Sequence, residues 1–356
     1  MTENTTNTGK NGQKVQLLFG QVAGVAPKIP LPVETENRGG GYVQFGEDNR
    51  FPQFLFSLYS DCALLQSLCN GTCDYIIGDG LTKDYGSKTN DTIARCILDY
   101  VIFGAFAIQV RRNDLGEIVS YDYVDVQRVR LDAKHEKVYY SKTWGRYAKD
   151  TRTYERYNPD AKKKVPNSIY YFATPRSRGV YGLPIWNSAL KEAQTLTEIS
   201  KFHLASITNG LHSPMIINFN NGTPTQEVKA EIERLINERF CGSDKAGSYM
   251  VSYNESKEHA MDIQGLPDEN YDTKYLSLKE NSSESLLTAF RASAQLFGIS
   301  SQSTGFSSIE YRESYTLFEA TMIRPLRAQL TRAFANVGLE VEFKPFTVDF
   351  DTTNNE

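Results

Sequence analysis

The chain has 356 residues, of which 40% are hydrophobic and 23% charged. That is ordinary globular usage with enough apolar material for a core, so a mostly disordered chain is excluded and two or three domains are expected. The formal net charge of −4 argues against a strongly basic nucleic-acid binder but is compatible with a surface that DNA slides past without sticking.

Aromatic residues reach 12%, which suits either assembled interfaces rich in Tyr or ordinary strands. The cysteines Cys62, Cys69, Cys73, Cys96 and Cys241 include no CxxC pair, so a zinc site is not expected and half-buried, reduced thiols are. Residues 1–13 lack an apolar signal core. The longest apolar stretch, 96–110, contains Asp99 and falls short of the roughly 20 residues that span a bilayer. A soluble chain without membrane contact is the expectation.

In chain order, residues 1–44 read as a flexible arm closed by Gly39-Gly40-Gly41. Apolar residues at helical spacing predict a helix over 49–75, broken by Gly78 and Gly80, and a second over 90–103 with Asn90 or Asp91 as cap. After Gly104 the period changes to two. Strands are expected at 105–112, 118–123, 126–131, 138–142 and 168–173, in an antiparallel sheet, with a hairpin turn at Asn113-Asp114-Leu115-Gly116. The segment 130–164 carries a net charge of +6. It reads as a solvated face or as a patch that touches DNA or an acidic partner.

After Gly182-Leu183-Pro184 a long helix, about 36 Å, runs to Asn209-Gly210. A small strand–helix–strand module follows: strand 215–219, a helix opened by Thr223 and Pro224, and strand 248–253. The segment 255–285 has a net charge of −5, and a further helix is predicted over 280–297. Small polar residues at 299–307 read as a hinge. The last helix, 308–335, should kink at Pro325, which lacks an amide donor, and 339–350 alternates as a final strand. The fold class is therefore α+β.

Reaction signatures fail one by one. Gly86-Ser87-Lys88-Thr89 lacks the spacing of a phosphate loop. His135, His203, His212 and His259 have no metalloprotease spacing, and packing is the expected role for His203 in its long helix. Asp122 and Asp125 read as surface or capping carboxylates rather than an acid–base pair. Long helices, a polar hinge and an inserted module without a reaction signature point to a structural or assembly protein, with no cofactor.

The order of features resembles the portal proteins of tailed bacteriophages. The residues that carry the resemblance are Arg178-Gly179-Val180-Tyr181-Gly182-Leu183-Pro184 before the long helix, Asn209-Gly210 and Leu211-His212-Ser213-Pro214-Met215 after it, Phe297-Gly298-Ile299, Ile323-Arg324-Pro325-Leu326, and Gly46-Glu47-Asp48-Asn49-Arg50-Phe51-Pro52. Ser300 departs from the family's proline.

The resemblance implies a wing (45–184), a stem helix (185–210), a clip (211–260), an acidic connector with a second stem helix (261–298), a tunnel loop (299–308), a kinked tunnel helix (309–338) and a final wing strand with a short tail (339–356), the crown being absent or vestigial. It implies a homo-oligomeric, dodecameric ring at one capsid vertex of the virion, assembled in the host cytoplasm, through which double-stranded DNA is packaged and ejected. The partners implied are the terminase large subunit, a head–tail adaptor and the major capsid protein or scaffold. Ser300, Ser301, Gln302, Ser303, Thr304, Gly305 and Phe306 would lie nearest the DNA. Lys229, Glu233, Arg234, Glu238 and Arg239 on the clip would meet the motor or adaptor. Arg152, Arg156, Lys162, Lys163 and Lys164 would touch DNA or the capsid. The alternatives are another phage head or baseplate structural protein, and a hydrolase.

Overall fold

The computed structural model describes residues 29–37, 39–145, 148, 150–161, 165–208, 215–219, 228, 249–253, 271–299 and 308–347. A short hairpin, β1 (Glu34–Asn37) and β2 (Tyr42–Phe45), leads into α1 (Phe51–Asp61) and α2 (Ala63–Ile77). The expected single helix over 49–75 is thus two. Cys62 takes an extended conformation between them, which re-aims the chain so that Leu55 and Leu58 of α1 and Leu65, Leu68 and Ile76 of α2 all bury.

A short strand, β3 (Gly80–Leu81), precedes α3 (Ser87–Phe103). This helix starts three residues before the expected Asn90. Asn90 instead accepts from the Tyr85 amide (3.2 Å) and donates to Asp84 (2.8 Å), knitting the approach loop. Gly104 ends α3 in the left-handed conformation (φ 71°), as a C-terminal glycine does.

The sheet has six strands: β4 (Ala105–Arg112), β5 (Ile118–Val124), β6 (Val129–Leu131), β7 (Lys137–Tyr140), β8 (Arg152–Arg156) and β9 (Asn167–Ala173). Their order is β5-β4-β9-β8-β7-β6. It is mixed rather than antiparallel, because β8 and β9 run parallel. The connection 157–166 carries the chain back so that both strands point the same way, as a parallel pair requires. The expected strand 126–131 opens with a short 3-10 turn, Val126–Arg128, capped by the Asp125 side chain on the Gln127 amide (2.9 Å). Asp122 pairs with Lys88 and Arg111, so both aspartates have the surface and capping roles expected of them.

Two sequence motifs acquire physical reasons here. Asn49 has φ +62°, and its side-chain oxygen accepts from the Phe45 amide (3.0 Å) and from Arg130 Nε (2.7 Å). Arg130 also donates to the Asn49 carbonyl (2.7 Å) and to carbonyls of Gln127 and Val129, and lies over the Trp144 ring. Arg130 is fully buried, so it does not belong to any basic surface patch. Burial with only neutral acceptors pulls its guanidinium down to about 10.

In the second motif, Gly182 backs onto Gly104 so closely that a β-carbon on Gly182 would lie 2.2 Å from the Gly104 oxygen. The Glu34 carboxylate accepts from the amides of Val180 (2.8 Å) and Tyr181 (3.0 Å). Buried Tyr181 donates to the Val43 carbonyl and accepts from the Leu131 amide.

The predicted long helix begins with a 3-10 turn, Asn187–Ala189, and continues as α4 (Leu190–Thr208), about 28 Å rather than 36 Å. The strands β10 (Met215–Phe219) and β11 (Tyr249–Tyr253) pair in parallel, the geometry that a strand–crossover–strand unit requires. Of the expected helix between them only Val228 is described, helical and exposed; the rest lies outside the described residues.

The next helix, α5 (Tyr271–Phe290), starts nine residues before the expected position 280 and ends before 297; a separate 3-10 turn, Ala294–Phe297, follows. The last helical stretch comprises α6 (Ser308–Phe318), a π-helical turn (Glu319–Ile323) and α7 (Arg324–Ala335). Just before Pro325, the Arg324 amide bonds the Glu319 carbonyl five residues back, and Pro325 opens α7, where its missing donor is tolerated.

Among the described residues of the alternating C-terminal segment, β12 (Phe343–Lys344) pairs antiparallel to β3 and Lys344 also bridges Gly78. One hydrophobic core joins the hairpin, α1–α4, the six-stranded sheet, the inner end of α5 and α6–α7, with Phe106 of β4 stacked on Phe334 of α7. Cys62, Cys69, Cys73 and Cys96 are free and fully inside it, deeper than expected, and burial pushes the Cys73 thiol up to about 12.

Candidate functional site

Two features stand out from this body. The first is the pair α4 and α5. Ala193, Leu196 and Ile199 of α4, and Phe290, Leu286 and Ser282 of α5, are buried at the body end. Farther out the same helices open to solvent: Phe202 is 48% exposed, and Leu276 and Leu278 are 48% and 49%. Phe202 stacks on Tyr275 (4.9 Å between centroids), and His203 packs against Tyr275, the helix-to-helix role expected of it. Two antiparallel helices therefore project from the body and lean on one another, with apolar side chains that stay half exposed among the described residues. At the base, a cleft between them is lined by Ser188, Glu192, Glu284 and Thr288.

The second feature is the C-terminal half of α2, which anchors the segments on either side of residues 300–307. Gly71 has no side chain because the Phe297 ring fills that space; a β-carbon there would lie 2.7 Å from the ring. The Tyr75 hydroxyl donates to the Leu296 carbonyl (3.2 Å), and its ring meets Phe297, Tyr315, Phe318 and Phe346 at 5.4–6.0 Å. One aromatic side chain thus holds the approach turn, α6 and the C-terminal segment together. Burial, followed by hydrogen bonding and repulsion from Tyr311, raises the Tyr75 phenol far above its ordinary value, so it stays protonated and remains a donor.

Arg327 completes the anchor. Its Nε donates to the Ile76 carbonyl (2.8 Å), Nη2 to the Tyr75 carbonyl, and Nη1 to Glu319 Oε1 (2.7 Å). It supplies from α7 the positive charge that the C-terminus of α2 lacks in its own last turn.

Of the residues singled out from sequence, Ser300 through Phe306, the clip residues Lys229, Glu233, Arg234, Glu238 and Arg239, and Lys162, Lys163 and Lys164 lie outside the described residues. Arg152 is exposed on β8. Arg156 is half-buried, its guanidinium bonded to the Tyr171 carbonyl (3.3 Å) and the His135 carbonyl (3.5 Å), so it is partly committed to the fold. Gly71, Tyr75, Glu319 and Arg327 were missed by sequence reasoning. The available signal was Arg327 itself, a charged residue beside Leu326 and Leu330 in an apolar stripe. Among the described residues, no cluster of His, Cys, Asp or Glu could hold a metal ion, and no helix is long and apolar enough to cross a membrane.

The phage portal protein family profile matches residues 88–354. A probable portal protein of Haemophilus phage HP1 is 26% identical over 237 residues, 65% of each chain, and one of Escherichia phage P2 is 21% identical over 261 residues, 72% of this chain and 71% of that one. The match thus spans just under two thirds of the HP1 protein's length. Among solved structures, a chain from the virion of a native gene transfer agent particle superposes with a TM-score of 0.51 at 15% identity over 84% of each chain. One from the neck of that particle, computed with C12 symmetry, gives 0.50 at 15% identity over 85% of each. The fold is one found in virion and neck assemblies. The chain belongs to the phage portal protein family.

Proposed function

We propose that this chain is one subunit of a portal ring at the head-to-tail junction of a virion, a channel for double-stranded DNA with no catalysis of its own. The observation that carries this reading is the projecting α4–α5 pair, whose Leu276 and Leu278, and the outer side of Phe202, stay about half exposed among the described residues. Isolated exposed apolar residues are ordinary, but several of them on one projecting helix pair suit burial against neighbours. The tunnel helix adds Leu317, 64% exposed. A closed cyclic ring buries such a heterologous surface once per neighbour and leaves no free end. Twelve copies is the number that the family resemblance implies.

In this reading, residues 300–306 face the passing DNA, with mainly polar side chains, Phe306 apart, and no cation to hold a phosphate. The β10–β11 module, with Lys229, Glu233, Arg234, Glu238 and Arg239, docks the terminase motor during packaging and the adaptor afterwards. Arg152 and Lys162–Lys164 meet the capsid, its scaffold or packaged DNA. Native mass spectrometry with negative-stain imaging of the purified chain tests the reading: a closed ring of about twelve copies with an axial channel is the expected result. A chain that stays monomeric even with capsid and scaffold proteins present would overturn it.

A further inference from the structure

Glu319 and Arg327 are eight residues apart on one continuous helical stretch, yet they form an ion pair of 2.7 Å with both side chains nearly buried. In a regular α-helix, eight residues turn through ~800°, so the two side chains would point ~80° apart. The π turn at Glu319–Ile323 takes up one extra residue. The pair then sits as seven residues do, ~20° short of two full turns and on one stripe. The contact therefore exists only in the π register. The arrangement is not saturated: Glu319 Oε2 is buried with no partner, while Arg327 spends its other donors on the end of α2.

We propose that the Glu319–Arg327 pair is a register latch and that Arg327 is a positioning residue: it selects the π register of this helix and so sets which face of α6 the subunit presents. Without the latch only Pro325 still favours the π turn, and the stretch samples the regular α register more often. The segment before it, α6, then turns by ~100° and shifts by ~1.5 Å against α7, which is held in the core by Leu326, Leu330 and Phe334. Tyr315 and Phe318 would leave their seats around Tyr75, and Leu317 would turn away from its present direction. That this face borders a neighbouring subunit and the channel rests on the portal reading; the latch itself does not.

The test is hydrogen exchange on the full-length protein. Glu319→Gln and Arg327→Met should speed exchange of α6 amides on the order of tenfold while α3 and β4 keep wild-type protection. A second variant separates positioning from general stability. Deleting Ala320, which is exposed, removes the extra residue, makes the stretch regular and leaves the orientation of α6 as it is now. In that background Glu319→Gln should no longer change α6 exchange. Unchanged exchange in Glu319→Gln, or the same acceleration with and without Ala320, overturns the latch. DNA-packaging yield of the same variants reads the portal role separately, so loss of one conclusion does not disguise loss of the other.

Discussion

Arg130 on β6 reaches Asn49 ahead of α1 and donates to both its side-chain oxygen and its carbonyl, each at 2.7 Å. Asn49 is held at φ +62°, which asparagine tolerates better than most residues. Asn49→Ala removes the shared acceptor and leaves two buried donors, the Phe45 amide and Arg130 Nε, without partners. The expected loss is about 3 kcal/mol, read as a lower urea midpoint with an unchanged slope.

Gly182→Ala and Gly80→Ala should differ sharply. A β-carbon on Gly182 meets the Gly104 carbonyl and the Ala105 side chain, in a place where neither backbone can withdraw. The cost should exceed about 3 kcal/mol, or the protein should not accumulate in folded form. Gly80 has φ +108° but open space around it, so alanine there pays only for backbone conformation, about 1–2 kcal/mol. Thermal unfolding of the two variants side by side checks the contrast.

Asp99 on α3 is buried, accepting from the Tyr123 hydroxyl (2.9 Å) and the Val126 amide (3.5 Å). Burial, opposed by the Tyr123 bond and reinforced by the neighbouring Asp125 charge, raises its carboxyl well above the ordinary range. The folded chain therefore holds a proton that the unfolded chain gives up near pH 4. The sign follows: this contribution to stability is present at acid pH and declines as pH rises from about 4 toward the folded value. Asp99→Asn keeps an oxygen acceptor for Tyr123 and removes the titration. Urea midpoints at pH 5 and pH 8 should show the variant gaining on wild type at the higher pH.

The proposed ring surface can be separated from the fold. Leu278→Glu on α5 and Leu317→Glu on α6 alter side chains that are 49% and 64% exposed in the single subunit. Unfolding of the isolated subunit should stay within about 0.5 kcal/mol of wild type, while ring yield in native mass spectra falls. A ring that forms normally with both changes would remove these faces from the interface.

Much of the N-terminal half was legible in sequence because its signals are local. The period change after Gly104, the turn at Asn113–Gly116 and the left-handed glycine at 104 each act within a few residues. What escaped depends on distant partners. Cys62 divides a helix with no glycine or proline to announce it, because the two halves must reach different parts of the core. The parallel pairing of β8 with β9 is set by where the 157–166 connection lands. The anchor of Gly71, Tyr75 and Arg327 joins residues more than two hundred positions apart, and no spacing rule connects them. The π turn is similar: Pro325 marks the place but not the remedy.

The pairing of β12 with β3 has a consequence for how the subunit is made. Strands separated by about 260 residues share a ladder, Phe334 completes the cover over Phe106, and Arg327 closes the end of α2. A nascent chain that has left the ribosome as far as α5 still lacks the layer that shields β4 and α2 from water. Contacts of such sequence separation form slowly, and the unfinished surface is apolar and sticky until they do. Maturation of the fold thus waits on residues 308–347, and a translation pause or truncation within them would yield an aggregating fragment rather than a smaller working part.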